Sequence, residues 1–153
     1  MFTRHIESEI KKEAEQGINN CFEELKSEVE SNRYEFEMGD VKNYSLILVP
    51  NEIKVRVDRE VTIRKGNDFE RREIFETFLK DSAYELSIIA QKISNQESLY
   101  CNSEYVEMIR QYKNFKIRKK QLGNDPKIYT IEDTRDDKRI MFAIRGCVID
   151  VPS

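Results

Sequence analysis

The hydrophobic period of this chain changes once, near residue 32, and that change limits what it can fold into. Up to that point Phe2, Ile6, Ile10, Ala14, Ile18, Phe22, Leu25 and Val29 recur in steps of four and three, with Glu and Lys on the opposite face. That spacing is one stripe of an amphipathic helix, predicted over roughly 4–30 and stopping at Ser31-Asn32. Gly17 lies inside it, costs about 1 kcal/mol relative to Ala, and marks the place where the helix would divide.

Beyond Asn32 the alternation is that of strands. Tyr34, Phe36 and Met38 alternate up to a turn signal at Gly39-Asp40. Tyr44, Leu46 and Leu48 alternate within YSLILV, apolar on both faces as in a central strand. Pro50, which lacks a ladder N–H, leads either to a turn or to a bend before Ile53, Val55 and Val57 alternate with Lys54, Arg56 and Asp58. A second helix is predicted over about 68–93. It would be capped at Asn67-Asp68 and carry Phe69, Ile74, Phe75, Phe78, Leu79, Leu86, Ile89, Ala90 and Ile93. A polar SNQES loop, a stretch over 99–112 in which Tyr105, Val106, Ile109 and Tyr112 fit a short helix without fixing its ends, and C-terminal strands complete the pattern. Those strands centre on Phe115 and Ile117, on Ile128, Tyr129 and Ile131, and on 139–151, with turns at GNDP and at 133–137. The expected class is α+β, a single domain over 1–153, with two long amphipathic helices packed on a mostly antiparallel sheet of four to five strands. Residues 1–31 would also serve as an extension for association.

Charge is plentiful, 36% of residues, yet the formal net is only −3. Its distribution is uneven. Residues 1–50 hold 11 acids and 6 bases, whereas residues 110–120 hold six bases and no acid. No apolar stretch approaches the ~18 residues that span a bilayer. The start is too polar for a signal peptide's apolar segment, so a cytoplasmic location is expected. Cys21, Cys101 and Cys147 are dispersed without a CxxC pair, which fits three reduced thiols acting as small hydrophobes.

The basic block RQYKNFKIRKK is the strongest local feature. Arg110, Lys113, Lys116, Arg118, Lys119 and Lys120 interleave with Tyr112 and Phe115, as phosphate contacts and base stacking on a single strand require. The same block would also serve as a solvated face or pair with an acidic helix, and the rest of the chain, at net −9, opposes a nucleic-acid ligand. Asp40 with Glu52-Ile53-Lys54 imitates the D…ExK arrangement of metal-dependent nucleases, although Glu9-Ile10-Lys11 and Glu24-Leu25-Lys26 match the triplet too. Asp133, Asp136 and Asp137 read as a hairpin turn rather than a cation loop. His5 is the one histidine and has no nucleophile beside it in sequence. Neither GxGxxG, GxxxxGK[ST] nor GxxG occurs.

The segment LVPNEIKVRVD, residues 48–58, preceded by a helical stretch and followed by a Phe- and Leu-rich segment, resembles one family. It is similar to the N-terminal domain of FhaA-type bacterial signalling proteins, in which a VPNxYxVxL strand leads into a helix with a Glu-Leu pair. Here Val49-Pro50-Asn51-Glu52-Ile53-Lys54-Val55-Arg56-Val57 corresponds to the strand and Phe69–Ile93, with Glu85-Leu86, to the helix. Ile53 replaces the usual aromatic. The likeness covers about residues 20–93, does not extend to a forkhead-associated domain, and so implies no phosphothreonine binding. It implies a non-catalytic module that helps assemble a signalling complex.

The expectation is therefore a non-enzymatic protein-interaction module, docking through its acidic helix and basic strip on a protein partner or a second copy. No catalytic residue, metal or cofactor is assigned. The alternatives are a single-stranded nucleic-acid-binding domain using residues 110–120 and a Mg²⁺-dependent nuclease using Asp40, Glu52 and Lys54.

Overall fold

The computed structural model describes residues 2–121, 123 and 126–145. The elements run α1 (Phe2–Ser31), β1 (Glu35–Val49), β2 (Glu52–Lys65), β3 (Asp68–Lys80), α2 (Ala83–Tyr100), α3 (Tyr105–Gln111), β4 (Phe115–Lys120), β5 (Lys127–Asp133) and β6 (Arg139–Ile144). The class is α+β. The described strands form two separate antiparallel sheets of three, ordered β1-β2-β3 and β4-β5-β6, instead of the expected single sheet of four or five. Contacts divide the chain into two compact units. One is Arg4–Asp81, and the other begins at Ser82 and takes in Phe2 and Thr3.

In the first unit, α1 runs unbroken through Gly17 and closes where its stripe ends. Arg33 takes a left-handed conformation (φ 63°). Its N–H reaches the Glu30 carbonyl at 3.0 Å, and the Tyr34 N–H reaches that of Val29 at 3.3 Å. These two bonds satisfy carbonyls that a helix end leaves open. Ile18, Phe22, Leu25 and Val29, the second half of the predicted stripe, pack on Phe36, Met38, Tyr44, Val55, Val57, Val61, Ile63 and Phe75. Phe22 meets Phe75 edge-on at 5.2 Å.

The three strands are joined by two-residue turns. Pro50-Asn51 joins β1 to β2, with Asn51 at φ 63°, the site of a two-residue turn that tolerates Asn. Gly66-Asn67 joins β2 to β3, with Gly66 at φ 61°. Gly at the first central position of such a loop matches the twist of the strands it connects. Two expectations fail here. Gly39-Asp40 is not a turn, because β1 runs through it and absorbs extra residues as bulges between Met38 and Asn43. Residues 68–80 are not helical. Gly66-Asn67 starts a hairpin there, and Asp68 to Lys80 runs antiparallel along β2 with one register shift, between Asp58 and Val61. Their apolar spacing fits a helix, but only Phe75 among them packs in the core.

In the second unit, α2 begins after Ser82, and Leu86, Ile89, Ala90 and Ile93 face the core. Those four are the part of the predicted helix that is correct. The SNQES stretch is helical too, extending α2 to Tyr100. The αL residue Cys101 then caps it by donating its N–H to the Glu97 carbonyl. Met108 of α3, Phe115 and Ile117 of β4, and Tyr129 and Ile131 of β5 complete the core, with Phe2, Ile140, Phe142 and Ile144 packed at its edge. The GNDP turn lies largely outside the described residues, as do Val148 and Val151 of the predicted last strand. No helix is long and apolar enough to cross a membrane among the described residues.

Nothing lies within 4 Å of a Cβ built on Gly17. Gly17→Ala is therefore expected to stabilise the protein by about 0.5–1 kcal/mol, read as a raised urea midpoint at unchanged m-value. A lowered midpoint would show that Gly17 has a role that the continuous helix does not reveal.

Candidate functional site

The eight residues of the basic block do not form one face. Phe115 is a core residue, 6% exposed, so its ring is unavailable for base stacking. Tyr112 packs at the core's edge, with its ring 6.4 Å from Phe115, and accepts a 2.6 Å hydrogen bond from Lys92. Arg110 pairs with Glu107 at 3.2 Å on α3. Along β4 the side chains alternate, so Lys116, Arg118 and Lys120 point away from the core. Arg118 is paired with Glu132 on β5. Lys119 turns inward to Glu97 at 3.3 Å and to the Asn102 side chain at 3.2 Å. Lys113, Lys116 and Lys120 are exposed and have no ion-pair partner among the described residues.

The inward turn of Lys119 belongs to a cluster absent from the sequence reading. Glu97 on α2 is 2% exposed. Its carboxylate accepts from Lys119 and Lys127 and from the hydroxyl of Tyr129, which also hydrogen-bonds Ser103 at 2.9 Å. Lys127 donates as well to the Cys101 carbonyl. Burial alone would raise the Glu97 pKa. The hydrogen bonds from Lys127, Tyr129 and Lys119 outweigh it and hold the carboxyl below its ordinary value. Tyr129 is pushed well above its own, first by burial and then by the bond it donates to Glu97. The cluster thus ties α2 to β4 and β5 through charged hydrogen bonds. One signal for it was present in the sequence. The buried stripe of α2 proceeds Leu86, Ala90, Ile93 and then Glu97, a carboxylate at a core step.

The nuclease triplet does not converge. Glu52 stands at the Pro50-Asn51 turn opposite Val49, whereas the neighbour of Asp40, Val41, is opposite Arg59. Seven positions of ladder separate Arg59 from Glu52, roughly 23 Å at ~3.3 Å per residue. Lys54 is paired with Glu76 at 3.0 Å. Among the described residues no group of three or more His, Cys, Asp or Glu is placed to hold a metal.

The EDTRDD segment is the turn that its composition implied, and Asp133 organises it. Its carboxylate, 1% exposed, accepts from the Arg135 backbone N–H and from two guanidinium nitrogens at 2.7–2.9 Å. The Arg135 side-chain bonds, partly opposed by burial, lower the Asp133 pKa to about 2. Cys21 is free and exposed. Cys101 is disulfide-bonded, which corrects the expectation of three reduced thiols, and Cys147 lies outside the described residues.

β3 is an edge of its sheet, and twelve of its thirteen residues are exposed, Phe75 being the exception. Phe69 is 72% exposed, Ile74 50% and Phe78 53%. On α1, Glu9, Glu13, Glu15, Glu23, Glu24, Glu28 and Glu30 are all exposed. No protein-family model, curated protein or solved structure matches this chain.

Two outcomes test the buried charges. Glu97→Ala would leave Lys119 and Lys127 without their shared anion and is expected to destabilise the fold by about 3–5 kcal/mol in urea unfolding. A loss under 1 kcal/mol would mean the lysines escape to solvent. Because the Asp133 value is depressed from 3.8 to about 2, its contribution is complete above 3.8 and is lost as pH falls toward 2. Thermal melts across that window should therefore show a shallower acid limb for Asp133→Asn than for the unchanged protein.

Proposed function

We propose that this chain is a non-enzymatic protein-interaction module, docking through the open sheet of its first unit and the acidic face of α1. The observation that carries the reading is β3. An edge strand that is unpaired among the described residues and exposes Phe69, Ile74 and Phe78 is a template for another chain. Main-chain pairing along an edge supplies affinity and the alternating side chains supply specificity. The charge clusters of the second unit act as internal clamps, which leaves recognition to surface shape and charge rather than to proton transfer. The likeness of residues 48–58 to FhaA-type proteins points the same way, toward a scaffold in a bacterial signalling assembly. Within that likeness, the stretch from Phe69 to Lys80 is strand rather than the family's helix. Lys113, Lys116 and Lys120 offer a secondary basic contact.

A photo-activatable phenylalanine analogue placed at Phe69 or Phe78 in the native host is expected to form protein adducts after illumination. Absence of adducts at both positions would remove this surface. Absence also at Glu13 and Glu23 on α1 would remove the module reading itself.

A further inference from the structure

Which β3 side chains share a face follows from the ladder. Along β2, Val55, Val57, Val61 and Ile63 are turned to α1, so the even-numbered residues face away from it. Opposite those even residues stand Phe78 (Lys54), Glu76 (Arg56) and Ile74 (Asp58), and then, after the shift between Asp58 and Val61, Arg71 (Thr62) and Phe69 (Arg64). Contacts agree with this assignment: Lys54 lies 5.4 Å from the centre of the Phe78 ring, and Arg71 reaches Glu60 at 2.9 Å. Because of the shift, the outward set is odd-numbered before Glu73 and even-numbered after it. One face of the free edge thus reads Phe69, Arg71, Ile74, Glu76, Phe78.

That order is self-complementary under reversal. The geometry points to a second copy of this chain as the partner of β3, the two strands pairing antiparallel about a two-fold axis between Glu73 and Ile74. This rests on the interaction-module reading and names its partner. In that register Phe69 faces Phe78 of the second copy and Arg71 faces Glu76 of the second copy, each pair occurring twice by symmetry. On the other face Arg72 meets Phe75, Glu70 meets Thr77 and Asp68 meets Leu79, and at the axis Ile74 meets Glu73, which Arg71 of its own chain already pairs at 2.6 Å. No like charges stand opposite each other. The seam also continues the charge pattern already present, because Glu76 is flanked by Lys54 at 3.0 Å within its own chain. A one-residue slip would turn partners to opposite faces. Sliding two residues one way sets Glu73 against Glu76. Sliding two the other way sets Arg71 against Ile74 and Phe69 against Glu76, so the aromatic and ionic pairs are lost together. The mixed charges on the edge select one register rather than open-ended growth.

The test uses the full chain in sedimentation velocity over a concentration series, with Arg71→Glu, Glu76→Arg, and an equimolar mixture of the two. The unchanged chain is expected to dimerise. Each variant alone sets like charges opposite each other twice and should weaken the dimer about tenfold or more, given the size of cross-strand charge pairs. In the mixture, the two acids at positions 71 and 76 of one variant face the two bases at positions 76 and 71 of the other. Dimer should therefore return, although neither variant regains its own intrachain pair. Circular dichroism of each variant establishes folding. Should either fail to fold, Phe69→Lys and Phe78→Glu, tested singly and mixed, repeat the design at the second pair. A dimer indifferent to these changes, or a mixture that stays as weak as its components, would overturn the register. A monomer at all concentrations would overturn self-pairing, and adducts from Phe69 or Phe78 to other proteins would then leave the module reading standing.

Discussion

A carboxylate in a protein interior has to be met by positive charge or by hydrogen-bond donors, and the second unit is arranged around that demand at Glu97. Lys119 from β4 and Lys127 and Tyr129 from β5 converge there, and Ser103 beyond the end of α2 holds the Tyr129 hydroxyl. The desolvation of three charges is offset only while every member is in place, so the cluster specifies the docking of α2 on the sheet more than it adds stability. It also removes Lys119 from the surface. Together with the Arg110–Glu107 and Arg118–Glu132 pairs and the burial of Phe115, it leaves three lysines without an ion-pair partner among the described residues, where the linear order shows a block of six bases and two rings. A strand sends alternate residues of a charged run to opposite faces, so only Lys116, Arg118 and Lys120 share the outer face of β4.

The first unit is governed instead by its central strand. β2 pairs along its whole length with both neighbours, so its alternation decides what α1 covers and what solvent meets. The shift between Asp58 and Val61 is a single-residue irregularity, yet it changes the parity of β3 and thereby chooses which of its side chains line up on the open face.

Much of this was legible in residue order. The α1 stripe, its end near Ser31, the β2 alternation and strands β4 and β5 all follow from period and turn chemistry. Residues 68–80 did not, because Phe69, Ile74, Phe75, Phe78 and Leu79 satisfy helical spacing as well as a strand does. Periodicity detects burial on one face, and an edge strand whose apolar groups are mostly exposed obeys no burial rule. Glu97 is not legible as a core residue because it stands in a polar run that reads as a loop, although its step from Ile93 places it on the core side of a helix. The Asp40–Glu52 distance depended on whether Gly39-Asp40 turned the chain, and a bulge, which leaves the strand running on, has no clear signature in one sequence.

Phe2 and Thr3 precede the first unit in sequence but complete the unit that follows it. The Phe2 amide donates to Gln91, the Thr3 hydroxyl meets Ser87, and the Phe2 ring lies 5.2 Å from Phe142. During synthesis the hairpins of the first unit can form as they emerge, since their strands are neighbours joined by two-residue turns. Phe2 and Thr3 have no such neighbour. They wait until α2 and β6 have been translated, so residues made before the first unit find their places after it.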